Sequence, residues 1–441
     1  MHILDDITSG QQTKSLVIST AAFTVCFAVW TIFSIIGIKI KQNLGLNDTE
    51  FGLLVATPIL TGSLSRIFLG IWTDQYGGRI VYFCLMLTTS LAVWLLASVS
   101  TYPMYLLAAL GVGLAGGSFA VGIAYVSRWY EKDRQGTALG IFGMGNVGAA
   151  ITNFGAPFLL IAYGWENVAR IYATILFCTA IIFWFVTEDD PETKARKLKG
   201  EKVQPAWMQL SPLKQLRVWR FATYYFFVFG GYVALALWLP RYYMGVYHLD
   251  IATAGMLAAC YALPGSLFRA LGGWLSDKIG ARKVMYLTFI CSLVCLFLLS
   301  YPATDYIVHG IEGPIEFTIA MGLVPFVMLS IFLGFFMSLG KAAVYKHIPV
   351  YYPGHVGSVG GLVGMIGGLG GFVLPICFGF MNDLIGVWTS CFMLLFTIVM
   401  ISLIWMHTVV TLADKRLHPD MQGPQSLPEM LESPKEKTSA S

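Results

Sequence analysis

Arg66-Ile-Phe-Leu-Gly70-Ile-Trp-Thr-Asp74-Gln-Tyr-Gly77-Gly-Arg79 is written a second time as Arg269-Ala-Leu-Gly-Gly273-Trp-Leu-Ser-Asp277-Lys-Ile-Gly280-Ala-Arg282. Arg, Gly, Asp, Gly and Arg recur at one spacing, and the second copy trails the first by 203 positions (66 to 269, 79 to 282). Upstream, Gly62-Ser63-Leu64 corresponds to Gly265-Ser266-Leu267 at the same offset. This agreement implies an internal duplication of roughly half the chain. Each copy opens with an arginine inside an apolar run, about two helical turns before the aspartate. A charge in lipid is expensive and marks a functional site by default. Two such arginines at matching depth in related halves point to one shared anion site.

The surroundings are those of a membrane protein. Of 441 residues, 56% are hydrophobic and only 12% charged, with a mean hydropathy of +0.69, where a soluble chain carries about 25% charged residues. About 20 apolar residues span a bilayer, and the length accommodates twelve spans. The net charge of +4 is small and by itself says nothing about nucleic acid, and no nucleic-acid partner is expected. Eight cysteines lie scattered in apolar runs without metal-ligand spacing and read as small hydrophobes. No nucleophile–base set, metal cluster or nucleotide loop is present, so neither an enzyme nor a cofactor is expected. The polar stretch Met1 to Lys14 precedes an apolar run too long for a signal-peptide core; no cleaved signal is expected, and the first helix serves as a signal-anchor.

Spans are expected at about 15–38, 50–71, 79–98, 102–126, 137–162 and 167–187, and again at about 218–240, 251–274, 282–301, 317–345, 357–380 and 385–411. The fold class is therefore all-α membrane, two six-helix halves at 1–187 and 218–411. A charged linker occupies 188–217 and a polar, disordered tail 412–441. One set of alternate loops, including the linker region, holds 16 lysines and arginines, and the other set holds four. The positive-inside rule then puts both termini in the cytoplasm of a cell (inner) membrane.

Two glycine-rich stretches open helices 5 and 11. Gly136-Thr-Ala-Leu-Gly140-Ile-Phe-Gly143-Met-Gly145-Asn146-Val-Gly148 is the first, and 357–371, with Gly361, Gly364 and Met365 matching Gly140, Gly143 and Met144, is the second. Glycine at intervals of three and four lets a neighbouring backbone approach closely. So many in one helix suggest a face that slides past a ligand.

Away from the span ends, the basic residues inside expected spans are Arg66, Arg269 and Lys341, and no acidic residue lies there. With no intramembrane carboxylate available, the substrate is expected to supply the missing counter-charge. Guanidinium offers a planar, permanently charged fork of donors, which fits a flat oxyanion such as nitrate, nitrite, formate or oxalate. Asn146 can add an uncharged donor. Phe119, and Tyr225 with Phe229 one turn later, can bracket a planar anion. The Asp74/Arg79 and Asp277/Arg282 pairs lie at the cytoplasmic mouth and suit a gate made in one state and broken in another; such pairs are individually weak. Lys341 either snorkels to the interface or faces the pathway, where, unlike arginine, it can lose a proton.

The doubled Gly-x-x-x-Asp-x-x-Gly-x-Arg on twelve spans resembles the major facilitator superfamily. The paired arginines of helices 2 and 8, with the glycine-rich stretches of helices 5 and 11, resemble its nitrate/nitrite porter family. The resemblance implies that Arg66 and Arg269 bind the anion from opposite halves, with Asn146, Phe119, Tyr225, Phe229 and the signature glycines Gly143 and Gly364 around it. Ser127-Arg128-Trp129-Tyr130 and Gly340-Lys341-Ala-Ala-Val-Tyr-Lys346-His-Ile-Pro349 resemble the branch assigned proton-linked nitrate uptake, and the exchanger branch lacks a lysine where Lys341 stands.

Energetics separates these branches. Importing one negative charge against an inside-negative potential costs about 2.3 kcal/mol per 100 mV, so uptake needs protons, whereas one-for-one nitrate/nitrite exchange is electroneutral. Two unpaired arginines in an empty site favour exchange; the subtype resemblance favours symport, which ranks narrowly first, with Lys341 as the proton-coupling candidate. The expected partners are nitrate, nitrite, protons and the bilayer, and the chain is expected to work as a monomer. A small-carboxylate carrier and a non-transporting anion sensor are the rivals.

Overall fold

The structure, a computed structural model, describes residues 8–130, 132–199, 215–351 and 356–417. Twelve helical spans are long and apolar enough to cross a bilayer. Spans 1 to 6 are Ser9–Leu44, Asp48–Gly70, Gly78–Leu96, Tyr102–Ser127, Ala138–Tyr163 and Trp165–Val186. Spans 7 to 12 are Leu216–Tyr247, Ile251–Ile279, Ala281–Leu299, Leu323–Ile348, Val359–Ile385 and Ser390–Leu412. In lipid, only helices and closed barrels satisfy every backbone group internally, and apolar runs of this length choose the helix.

Side chains start several of these helices. Asn47 and Glu50 form a reciprocal capping box at span 2, and Asp250 accepts from the Ala252 and Thr253 amides at span 8. Each satisfies end amides that have no intrahelical partner. The repeated motif owes its second glycine to backbone geometry. Gly77 and Gly280 stop spans 2 and 8 with φ of 97° and 90°, a region closed to most side chains.

Spans 2 and 11 bring the two halves into backbone contact. A methyl group on Gly52 would lie 2.3 Å from the Pro375 carbonyl oxygen, and one on Gly379 would lie 2.1 Å from that of Asp48. Neither position has room for any side chain. The same end of the molecule, facing away from the linker, carries polar ties between halves. Asp48 pairs with Lys41 (2.9 Å) and with Arg241 of span 7 (3.3 Å), and accepts from Asn382 Nδ2 of span 11. Asp383 in turn accepts from the Asp48 and Thr49 amides at 3.1 and 2.7 Å, capping span 2 from the other half. Deeper in, Asn153 Nδ2 of span 5 donates to the Ala236 carbonyl of span 7 at 3.0 Å.

Two expectations are corrected, and the linker is found to carry a helix. Span 10 begins at Leu323, not 317, because Pro314–Ile319 pairs antiparallel with Thr304–His309. Alternating β-branched and aromatic residues favour a strand there, and Tyr306 stacks on its partner Phe317 at 5.4 Å. The linker contains a helix at Pro191–Lys199, whose preceding Asp190 accepts from the Thr193 amide at 2.9 Å. The last helix runs on through Leu417, so 412–417 is helical and not tail. Residues 418–441, expected to be disordered, lie outside the described residues.

Candidate functional site

Arg66 and Arg269 meet in the middle of the molecule. They are 5% and 6% exposed, and both guanidinium carbons lie over the same ring, Phe119 of span 4, at 5.3 and 5.5 Å from its centroid. Trp30 and Phe229 also face Arg66, at 5.7 and 5.5 Å, and Tyr345 faces Arg269 at 5.8 Å. Aromatic faces attract cations electrostatically without neutralising them. None of the ion pairs among the described residues involves either arginine.

The two arginines are not equally satisfied. Arg66 Nη1 donates to the Gly364 carbonyl of span 11 at 2.8 Å, and Nε reaches the Gly116 carbonyl of span 4 at 3.4 Å. Arg269 Nη1 is buried with no hydrogen-bond partner. Asn146 is fully buried with both amide atoms unpartnered, as is the Tyr225 hydroxyl. A buried donor left unmade costs about 1–3 kcal/mol, so several together mark a place built for a polar guest.

Irregular helix geometry shapes this region. Span 4 tightens to a 3-10 turn at Leu114–Gly117, span 5 does so at Met144–Val147, and span 7 widens to a π-helix at Phe226–Gly231. Such interruptions frequently coincide with functional sites. Here they contain Gly116, Asn146 and Phe229. Span 8 breaks at Phe268, immediately before Arg269.

The signature glycines face the arginine of the opposite half. A methyl on Gly143 would sit 3.2 Å from Arg269 Cδ and Nε; one on Gly364 would sit 2.7 Å from the Tyr345 hydroxyl and 3.7 Å from Arg66 Nη1. Tyr225 and Phe229 do not bracket a common gap. They stack on each other at 5.1 Å and 7°, with Tyr345 edge-on to Tyr225 at 5.0 Å.

Lys341 does not snorkel. It is fully buried, its Nζ donates to the Gly265 carbonyl, one turn before Arg269, and it stands 3.5 Å over the Tyr232 ring. At the motif turns, Arg79 Nη2 donates to the Trp184 carbonyl at 2.5 Å and covers the Trp184 ring at 4.3 Å. Asp277 pairs with Lys346 of span 10, and Arg282 Nη2 donates to Tyr351 Oη at 2.8 Å. The Asp74 side chain lies outside the described residues.

Sequence reasoning missed Trp30, Tyr345 and the aromatic bed of Phe23 and Phe142 beneath Phe119, whose rings lie 5.5 and 6.2 Å from it. Only Tyr345 carried a signal, lying four residues after Lys341 and so on its face of the helix.

Comparison with known proteins agrees with this architecture. Residues 18–323 and 246–434 match the family model of the Major Facilitator Superfamily. The chain is 42% identical over 410 residues to a Thermus thermophilus protein called probable nitrate/nitrite antiporter NarK1, covering 90% of this chain and 91% of that one. It is 34% identical over 296 residues to the probable nitrate/nitrite transporter NarK2 of Mycobacterium tuberculosis, covering 66% and 72%. Among solved structures, a bacterial homolog of the human lysosomal transporter Spinster, inward-facing and occupied, superposes with a TM-score of 0.68 at 15% identity. It covers 95% of this chain and all of that one, a likeness of fold.

Proposed function

The chain belongs to the nitrate/nitrite porter family of the Major Facilitator Superfamily, and from that premise we propose that it carries nitrate across the membrane by alternating access. The observation that carries this reading is the convergence of Arg66 and Arg269, one from each half, on the ring of Phe119 with no carboxylate among the described residues paired to either. A trigonal anion held between two planar forks supplies both the missing charge and the missing acceptors. The unpartnered Arg269 Nη1, Asn146 amide and Tyr225 hydroxyl are the donors that such an anion would occupy, over the face of Phe119.

Binding across the seam couples the anion to the movement of the halves. An empty site leaves two cations facing each other; a bound anion offsets their repulsion and favours closure around it. The halves are tied at the end away from the linker by Asp48, Arg241, Asn382 and Asp383, which supports a state opening toward the linker. We assign that side to the cytoplasm from the lysine and arginine bias.

The coupling we propose is nitrate/proton symport, with Lys341 as the titrating group. Lys341 is buried with no counter-ion among the described residues, and it touches the carbonyl one turn before Arg269; a lysine can release its proton there and an arginine cannot. Nitrate/nitrite exchange is the second reading. It is favoured by the absence, among the described residues, of a carboxylate paired to these cations, and by the name of the Thermus relative.

Uptake of nitrate into proteoliposomes, with the pH gradient and internal nitrite varied independently, tests both. Proton-driven uptake into vesicles lacking internal anion supports symport; uptake only with internal nitrite overturns it in favour of exchange. Counterflow in the same vesicles excludes a non-transporting sensor, and competition by formate or oxalate tests the small-carboxylate alternative.

A further inference from the structure

The repeated Gly-Ser-Leu places serines at 63 and 266 in equivalent positions of the two halves, yet the two hydroxyls have different surroundings. Ser266 Oγ donates to the Ala262 carbonyl at 2.9 Å and meets the Tyr232 hydroxyl at 2.7 Å. Ser63 Oγ, on a residue with no exposed surface, has no hydrogen-bond partner. A helical serine can bond back to the carbonyl four residues earlier, as Ser266 does; Ser63 does not.

Its position explains what that hydroxyl is available for. Ser63 lies three residues before Arg66, on the same helix face. Across the seam stands Gly368 of span 11. A methyl built there would sit 2.3 Å from Ser63 Oγ and 3.5 Å from Arg66 Nη1. Hydroxyl and guanidinium therefore both lie against the same glycine, in a contact too close for any side chain. Gly368 lies one helical turn after Gly364, whose carbonyl accepts from Arg66 Nη1.

We propose that Ser63 is a substrate ligand whose hydroxyl donates to the third oxygen of a trigonal oxyanion held by Arg66 and Arg269. It would thereby favour nitrate over nitrite, which has no third oxygen. The proposal rests on the nitrate-carrier reading above. A site built to donate to a substrate atom discriminates strongly against a ligand lacking that atom.

The test is Ser63→Ala, with Ser63→Cys as a second variant that keeps the side-chain size and weakens the donor. Transport KM and kcat are measured for nitrate and for nitrite in proteoliposomes, beside the wild type. The expected result in both variants is a rise of about tenfold in nitrate KM, with kcat and nitrite KM within about twofold of wild type. The unchanged nitrite KM also reports that the variant is folded. Unchanged nitrate KM, or an equal rise for both anions, overturns the role of Ser63 alone. A wild type that carries neither anion overturns the carrier reading and this inference with it.

Discussion

Arg66 Nη1 donates to the Gly364 carbonyl at 2.8 Å, joining span 2 of the first half to span 11 of the second. The contact is reflected on the other side of the seam, where Gly143 of span 5 lies against the side chain of Arg269 of span 8. Each arginine thus meets a glycine of the facing half, and the glycine is what lets the backbone approach. The seam between the halves runs through the guanidinium groups themselves. A ligand bound there touches both halves.

Replacing either arginine by lysine keeps the charge and removes the fork. Arg66→Lys and Arg269→Lys are expected to lower nitrate uptake in proteoliposomes by about 100-fold or more, because an ammonium is a point charge without paired planar donors. Uptake near the wild-type rate by either variant would remove the arginines from the centre of the account.

Gly143→Ala adds a methyl 3.2 Å from Arg269 Cδ and Nε, a contact that the side chain relieves by shifting a few tenths of an ångström. The expected effect is a rise of about tenfold in nitrate KM, equal to roughly 1.4 kcal/mol, with normal expression. Gly143→Val should abolish uptake. Unaltered kinetics for both variants would show that Arg269 does not need its observed position.

Lys341→Met tests coupling separately from binding. It removes the buried amine while keeping the side chain's length and apolar character. Uptake driven by a pH gradient is expected to fall by about tenfold or more, as for loss of a proton-transfer group, while exchange against internal nitrite persists. Equal loss of both activities would make Lys341 a packing residue.

At the end away from the linker, Asp48→Ala removes the acceptor of Lys41, Arg241 and Asn382 together. Removing the shared carboxylate of this part-buried network leaves Lys41, Arg241 and Asn382 without the group that ties the halves together. The variant is therefore expected to populate a state opened at that end. Distances between spin labels attached at positions 44 and 385, both exposed, should lengthen relative to wild type. An unchanged distribution would show that backbone packing at Gly52 and Gly379 holds this end by itself.

The duplication at offset 203 exposed the architecture directly, because glycine at 77 and 280 answers a backbone requirement that no other residue meets as easily. The arginines were equally visible, since a charge inside an apolar run has few structural explanations. The aromatic bed was hidden. Trp30, Phe23 and Phe142 sit in runs where large apolar residues are ordinary, and nothing local distinguishes a ring under a guanidinium from one under a leucine. The hairpin at 304–319 was missed because Phe317-Thr-Ile319 abuts an apolar run and was absorbed into the helix that follows. Ser63 was in view as part of the repeat, but its unpartnered hydroxyl depends on Gly368, three hundred residues away in sequence.

The most direct measurement is calorimetric titration of nitrate into the detergent-purified chain and into Arg269→Gln, which has lost the unpartnered guanidinium. The account predicts saturable one-to-one binding by the wild type and none by the variant. Equal affinity in the two proteins would contradict it.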